Sequence, residues 1–310
     1  MSGNRLTQQL FFLFGTLVIV FALGNQNRSF AAPQDDQAAR LFESARLAQE
    51  SEDYGFAVTS WNKLLANFKD SKLAPKAAYN AGICYLNLGD FEKSIPLLKQ
   101  AAPKLDSESG LRAKAQLFLG FVQYRQGSKL NTDPNNKEKA NQLLTTATNT
   151  LETLIQAETK GDAKDPKFSD LDQAFWFQGV AYEELGRDED ALKSYKKMLT
   201  FPEPTFEFLG HSALGDVTLR LGQYTEAVKH YGAARKFAET SNAKEDITGI
   251  NLATGKALIR IADRSETAGN KTEAQTNFTE ASKILALIPA ADANSTAEAR
   301  EIYDLSLIHI

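Results

Sequence analysis

The stretch FWFQGVAYEELGRDEDALKSYKKM, residues 175–198, decides the fold. Apolar side chains recur three and four residues apart on both sides of Gly186, which is typical of two amphipathic helices joined by a short turn. Gly186 stands where a helix ends and the backbone must become left-handed. Gly179 lies inside the first helix, where glycine costs about 1 kcal/mol relative to alanine, so we expect a partner helix to pack closely against it. The stretch therefore predicts a helical hairpin.

The same spacing occurs three times along the chain. A glycine in the first helix is followed after seven residues by a turn glycine, and after five more by a small residue at the closest point of the second helix. The three sets are Gly82, Gly89 and Ser94; Gly179, Gly186 and Ala191; and Gly215, Gly222 and Ala227. Such a hairpin leaves one face uncovered until a neighbour stacks on it, so we predict an all-α array.

Three further hairpins match the pattern less closely. Around 38–70, Ala45 stands where the first-helix glycine is expected. In the third hairpin Gly120 is present, but a polar insertion from Gly127 to Asn136, interpreted as a spacer or a contact loop, separates the helices. In the sixth, Gly255 and the second-helix set around Phe278 are seven residues further apart than the pattern allows. Seven residues make about two helical turns, so a longer helix pair would keep the same face inward.

These residues resemble the tetratricopeptide repeat, whose consensus has Gly and Tyr in the first helix, Gly in the turn, and Ala, an aromatic residue and Ala in the second helix. The resemblance implies a right-handed α-α superhelix of about six helical hairpins over residues 32–304. FKDSKLAPKAAY, residues 68–79, also resembles the linker of bacterial envelope repeat proteins, of the outer-membrane assembly lipoprotein and periplasmic cell-division coordinator types. Those proteins use the array as a docking scaffold.

The resemblance also implies a groove lined by the first helices. Transferring its inward positions gives an aromatic and aliphatic strip edged by arginines, which suits an extended peptide or a partner helix. Alternatively, several of these side chains pack against the next hairpin. The candidate groove residues are Tyr79, Leu86, Phe121, Tyr124, Arg125, Trp176, Arg220 and Arg260.

The N-terminus carries the pattern of an export signal. Arg5 precedes the apolar run LFFLFGTLVIVFALG, residues 10–24, which is shorter than the ~20 residues that cross a bilayer as a helix. Small residues at Ser29 and Ala31 predict cleavage after Ala31. The alternative is an uncleaved short anchor in the membrane. Both interpretations place the remaining chain outside the cytoplasm, in the periplasm or otherwise exported.

The sequence shows no pattern of an enzyme, metal or cofactor site. His211, His230 and His309 have no metal-ligand spacing, and we interpret the single cysteine, Cys84, as a small buried residue. A net charge of −4 without a run of Lys or Arg argues against a nucleic-acid partner. We therefore expect a non-catalytic protein that binds proteins or extended peptides and needs no cofactor.

The last six residues, LSLIHI at 305–310, resemble the translated adaptor sequence found at broken ends of reading frames. We interpret them as a non-native tail of a truncated frame. The first functional hypothesis is an exported scaffold for protein interactions in the bacterial cell envelope. The alternatives are the N-terminal adaptor region of a larger enzyme or sensor, and a membrane-anchored envelope assembly factor.

Overall fold

A computed structural model describes residues 33–106, 110–160, 168–241 and 247–288. Within these ranges the chain forms twelve α-helices, two short 3-10 helices and no strand. The α-helices are α1 (Pro33–Glu50), α2 (Tyr54–Asn67), α3 (Ala74–Asn87), α4 (Phe91–Ala101), α5 (Leu111–Asn131), α6 (Lys137–Thr159), α7 (Leu171–Glu184), α8 (Asp188–Met198), α9 (Glu207–Arg220), α10 (Tyr224–Thr240), α11 (Thr248–Thr267) and α12 (Lys271–Leu285). The residues group into two compact units, 1–37 and 38–310, and all packing described below lies in the second.

Consecutive helices pair into six helical hairpins, α1–α2 to α11–α12, within the described ranges. The predicted all-α solenoid of about six hairpins is confirmed. The second helix of each hairpin packs against the first helix of the next, and direct contacts also join the first helices α3 to α5, α5 to α7, and α9 to α11. The first helices α3, α5 and α7 therefore lie side by side, as do α9 and α11, and they contribute to the surface on which the groove was predicted.

Five of the hairpin turns share one hydrogen-bonded geometry. In hairpin 4 the N–H of Gly186 donates to the carbonyl of Glu183, and the N–H of Arg187 donates to that of Tyr182, both at 2.9 Å. This pattern satisfies the last carbonyls of the first helix and requires a positive φ at the turn residue, which is 71° at Gly186. Equivalent turns use Glu52, Gly89, Gly222 and Gly269, with φ values of 60°, 73°, 71° and 81°.

The first-helix glycines are sites of close helix approach, as predicted. A Cβ atom at Gly82 would lie 2.7 Å from Cγ of Leu98, and one at Gly179 or Gly215 would overlap the ring of Tyr195 or Tyr231. The small residue of the second helix lies beside the same glycine, and the Ser94 hydroxyl donates to the carbonyl of Gly82 at 2.7 Å. Ala191 and Ala227 are fully buried at the equivalent positions.

The prediction of a polar insertion from Gly127 to Asn136 in hairpin 3 is wrong for the first half of that segment. Residues 127–131 continue α5, and Gly127 packs against Leu144 while Gly120 packs against Leu151. The turn is formed by the residues that follow, including the 3-10 helix Pro134–Asn136. The pattern hid this because Gly127 begins a polar run, although its missing side chain allows a second close contact two turns beyond Gly120.

Hairpin 6 has the longer helix pair that the sequence predicted. Gly255 packs against Leu285, and two turns further on Ala262 clusters with Phe278. Ala262 therefore occupies the position that Gly179 has in hairpin 4, and Gly269 provides the turn. The helices of hairpin 6 extend the standard unit by two turns at the end distant from the turn.

No helix among the described residues is long and apolar enough to cross a bilayer. The predicted signal at 1–31 and the predicted tail at 305–310 lie outside the described residues. Residues 161–167, in the polar stretch from Lys160 to Asp170, also lie outside them.

Candidate functional site

Two of the aromatic residues predicted for the groove are almost fully buried. Phe121 and Trp176 are each only 2% exposed. The Trp176 ring lies 5.2 Å from that of Phe206 and 5.3 Å from that of Tyr195, and Phe121 lies 4.5 Å from Phe177. The prediction that they line an open groove is wrong, because these rings fill the space between neighbouring hairpins.

The two groove residues predicted in hairpin 2 are also largely buried. Tyr79 and Leu86 are each 8% exposed, and the Tyr79 ring lies 6.3 Å from that of Phe118 on α5. Burial raises the pKa of the Tyr79 hydroxyl well above its usual range. The alternative interpretation, packing against the next hairpin, therefore holds for Tyr79, and Leu86 is equally buried.

Tyr124 and Arg125, both on α5, are half-buried. The Arg125 guanidinium lies 5.6 Å from the ring of Phe91 and 5.7 Å from that of Phe121, within the range of a cation–π contact. Burial lowers the pKa of Arg125. Burial is also the largest influence on the pKa of Tyr124, which it raises. These residues contribute a partly accessible border to the surface.

Arg220, at the end of α9, joins hairpins 4 and 5. Its Nη2 donates to Glu183 Oε1 at 2.6 Å and to Asp188 Oδ1 at 2.8 Å, and its Nε donates to the same Asp188 carboxylate at 3.1 Å. The Arg220 side chain remains 44% exposed. The predicted groove position is therefore accessible, and its guanidinium is held in place by two carboxylates. No sequence pattern indicated Asp188 as its partner.

Two tyrosines of the second helices reach the same surface with their hydroxyl groups. Tyr195 donates to Glu183, and Tyr231 donates to Asp216 Oδ1 at 2.7 Å. The rings pass over Gly179 and Gly215, where no side chain blocks them. The tetratricopeptide-repeat consensus has an aromatic residue in the second helix, and it gave no indication of these hydrogen bonds. The available signal was that Tyr replaces the Leu98 of hairpin 2 at both positions.

Asp216 presents a carboxylate to solvent on α9. Desolvation by the surrounding groups raises its pKa, and the hydrogen bond from Tyr231 acts in the opposite direction. Glu183 on the neighbouring first helix contributes further to the increase, whereas Arg220 opposes it. Asp216 is therefore an accessible acid whose ionised form is less stable than in water, so a cation from a partner would stabilise it.

Hairpin 6 continues the surface with two cations. Lys256 and Arg260 follow Gly255 by one and five residues, as Asp216 and Arg220 follow Gly215. Gly255 lies two helical turns further from the hairpin turn than Gly215 does, so these pairs lie on the same face of α9 and α11 but are offset by about two turns along it. The two helices contact each other. The Arg260 side chain is 65% exposed, and its guanidinium lies 4.0 Å from the carboxylate of Asp263. We call Glu183, Asp216, Arg220, Lys256 and Arg260 the charged strip.

The described residues contain no group of three or more His, Cys, Asp or Glu side chains arranged to hold a metal ion. Cys84 is buried, and burial raises the pKa of its thiol to about 12. It therefore lacks the thiolate character of a reactive cysteine, and the interpretation of Cys84 as a small buried residue is confirmed.

The charged strip can bind and orient charged groups of another molecule.

Comparison with known proteins identifies the repeat and the fold. Residues 42–110 match the family described as Tetratricopeptide repeat. MamA from Desulfovibrio magneticus RS-1 is similar in structure, with 16% identity, a TM-score of 0.52, and alignment over 67% of this chain and 98% of that one. A MamA RS-1 double mutant gives 18% identity, a TM-score of 0.51, and coverage of 68% and 98%. No curated protein sequence matches the chain.

A kinesin light chain protein with TPR-like repeats from Podosopora anserina is similar at 17% identity, with a TM-score of 0.50 over 68% of this chain and 100% of that one. At these identities the structural matches show the fold alone. They support a solenoid of the tetratricopeptide-repeat type. The resemblance to bacterial envelope repeat proteins stays a prediction.

Proposed function

We propose that this protein is an exported, non-catalytic scaffold that binds an extended segment of a partner protein along the charged strip. The observation that carries the proposal is that aromatic and charged side chains of the first helices have different roles. Their large aromatic side chains are used for packing between hairpins, whereas charged side chains of α7, α9 and α11 remain accessible. A surface of this kind recognises a partner through complementary charge and hydrogen bonds.

The order of charges along the strip indicates the chemistry of the partner. Glu183 and Asp216 are acidic, and Arg220 is already engaged by Glu183 and Asp188. Lys256 and Arg260 are basic and belong to the next hairpin. An extended peptide with a basic residue near Asp216 and acidic residues near Arg260 would complement this order. Because the strip is accessible to solvent, we expect its affinity to depend strongly on salt.

Site-specific photo-crosslinking tests the location of binding. A photoreactive amino acid replaces Arg260 in one variant and the exposed Lys197 of α8 in the control variant. We expect a partner adduct at position 260 and none at 197. The crosslinked segment, identified by mass spectrometry and synthesised, should bind the wild-type chain and lose at least tenfold in affinity with Arg260→Glu, but not with Lys197→Glu. Equal adducts at both positions would contradict the proposal.

Export is proposed from residues 1–31, and it is tested separately. N-terminal sequencing of the chain recovered from the periplasm of a bacterial host should give a start at Ala32. A chain that starts at Met1 and sediments with membranes would instead support the membrane-anchored alternative. Recovery of the chain only from the cytoplasm would contradict export, and it would leave the proposed binding surface unaffected.

A further inference from the structure

A cavity of about 490 Å³ lies between hairpins 5 and 6, at the end distant from their turns. Residues of the second helix α10 and of the end of α12 form its sides, and the start of α11 lies between them. Its volume is within the range of pockets that hold small molecules, about 300–1,000 Å³. No residue of the charged strip lines it. The cavity is therefore separate from the surface described above.

Asn251 on α11 is a buried polar residue that lines this cavity. It is 2% exposed, and no described residue donates a hydrogen bond to its Oδ1. A buried polar group without a partner destabilises a folded protein, so a ligand that pairs with it gains more than at a solvated position. A carboxamide carries a donor and an acceptor, and it can turn about its last torsion. Its best complement is therefore another amide group.

Two basic side chains, Arg235 and Lys236 on α10, also line the cavity. Among the described residues that line it, Glu239 is the only acid. The Glu239 side chain is 63% exposed, and its Oε1 lies 4.0 Å from Nε of Arg235, whose side chain is 29% exposed. Two bases against one acid leave a net positive charge, which attracts an anion.

A second cavity, of about 400 Å³, occupies the equivalent position between hairpins 2 and 3. Hairpins 3 and 6 both have helices two turns longer than the standard unit, and the extra turns line each cavity. Gln116 precedes Gly120 by four residues, as Asn251 precedes Gly255. Gln116 is partly exposed, whereas Asn251 is buried. The longer hairpins thus explain the shape of both cavities, and the buried carboxamide distinguishes the one at hairpin 6.

We propose that the cavity at hairpin 6 binds a small organic anion of the N-acyl amino acid class. Its carboxylate pairs with Arg235 and Lys236, and its amide group pairs with the carboxamide of Asn251. Its apolar side chain contacts Ile284 and Leu287, which also line the cavity. Leu287 is 59% exposed, so it has apolar surface left to bury. The proposal does not rest on the proposed function, because the charged strip takes no part in it.

Probes that differ by one group test the assignment. N-acetyl-L-leucine carries a carboxylate, an amide and an apolar side chain; N-acetyl-L-leucinamide lacks the charge, and 4-methylpentanoate lacks the amide. In a nuclear magnetic resonance titration of the full chain, N-acetyl-L-leucine should cause saturable shifts that include the side-chain amide of Asn251. The other two probes should bind about tenfold more weakly, the effect of one lost hydrogen bond to a buried or charged group. Equal binding of all three, or no saturable binding, would overturn the proposal.

Variants of α10 show whether the probe occupies this cavity. Lys236→Gln should weaken the binding of N-acetyl-L-leucine about tenfold. Lys229→Gln is the matched control, because Lys229 is an exposed residue of the same helix that does not line the cavity. Gly232→Leu should block binding and keep the fold, because a Cβ at Gly232 meets nothing within 4 Å and the residue lines the cavity. Equal binding by Lys236→Gln and Lys229→Gln would overturn the proposal.

Asn251→Leu separates a role in binding from a role in the fold. Removing a buried carboxamide that has no partner should leave the unfolding temperature unchanged or raise it. The preference for N-acetyl-L-leucine over 4-methylpentanoate should disappear. An unchanged preference would overturn the proposal, and so would a marked decrease in the unfolding temperature, since the fold would then need the carboxamide. A hexapeptide that ends in leucine and binds about tenfold more tightly would overturn the assignment to a small ligand.

Discussion

Tyr231 donates a hydrogen bond to Asp216 at 2.7 Å, from a ring that lies against Gly215. One side chain thus fills the interior of hairpin 5 and fixes a carboxylate of the charged strip. We expect Tyr231→Phe to keep the fold and to lose about 1 kcal/mol of unfolding free energy, the usual net value of one hydrogen bond. Chemical denaturation measures this loss, and an unchanged stability would show that the hydroxyl contributes nothing.

Asp216 should make stability depend on pH. Its pKa in the folded protein is raised above the ordinary value of 3.8, so the folded state binds the proton more tightly than the unfolded chain does. The free energy of unfolding should therefore decrease as pH rises from 3.8 through the raised pKa, and then level off. We expect Asp216→Asn to flatten this part of the profile. Denaturation of both proteins over the acidic range measures the difference, and parallel profiles would contradict the assignment.

A side chain at the glycines buried between the two helices of a hairpin should destabilise the protein. Gly179→Ala places a methyl group against the Tyr195 ring, and the overpacking should cost about 1–3 kcal/mol of unfolding free energy. Gly232 in α10 is the matched control, because a Cβ there meets nothing within 4 Å. Gly232→Ala should stabilise the protein by about 0.5–1 kcal/mol. Thermal or chemical denaturation distinguishes the two, and a neutral Gly179→Ala would mean that the helices separate easily.

Hairpin 1 uses a glutamate where the other four turns of this geometry use glycine. Glu52 has a φ of 60°, and a left-handed conformation costs a non-glycine residue roughly 1–2 kcal/mol. Glu52→Gly removes this cost, but glycine loses more conformational entropy on folding, which offsets part of the gain. We therefore expect Glu52→Gly to stabilise the protein by about 0.5–1 kcal/mol. The reverse change, Gly186→Glu, should destabilise it. Loss of stability in Glu52→Gly would contradict the turn geometry.

Cys84 should be protected from thiol reagents in the folded protein. Its thiol is buried and its pKa is raised to about 12, so little thiolate forms at neutral pH. We expect a chromogenic disulfide reagent to react with the thiol only after denaturant is added. Rapid reaction under native conditions would show that the α3 region opens readily.

The sequence predicted the hairpins because glycine spacing reports backbone geometry directly. Gly186 predicted a left-handed turn and Gly179 a close helix contact, and both effects are local. The groove could not be predicted equally well. Trp176 is covered by Phe206, which lies thirty residues later in the chain. The periodicity of the sequence does not indicate a contact between residues so far apart. Arg220 was assigned to the surface correctly, but its carboxylate partners come from the preceding hairpin.

The extra turns of hairpins 3 and 6 suggest a rule for how this chain can lengthen. Gly120 and Gly127 contact Leu151 and Leu144, so both helices of hairpin 3 gained the same increment. Seven residues rotate a helix face by only about 20°, whereas most other increments would turn apolar side chains toward water. The helices of a hairpin can therefore lengthen in steps of seven residues. The added turns make the hairpin longer and leave its packing against neighbouring hairpins unchanged.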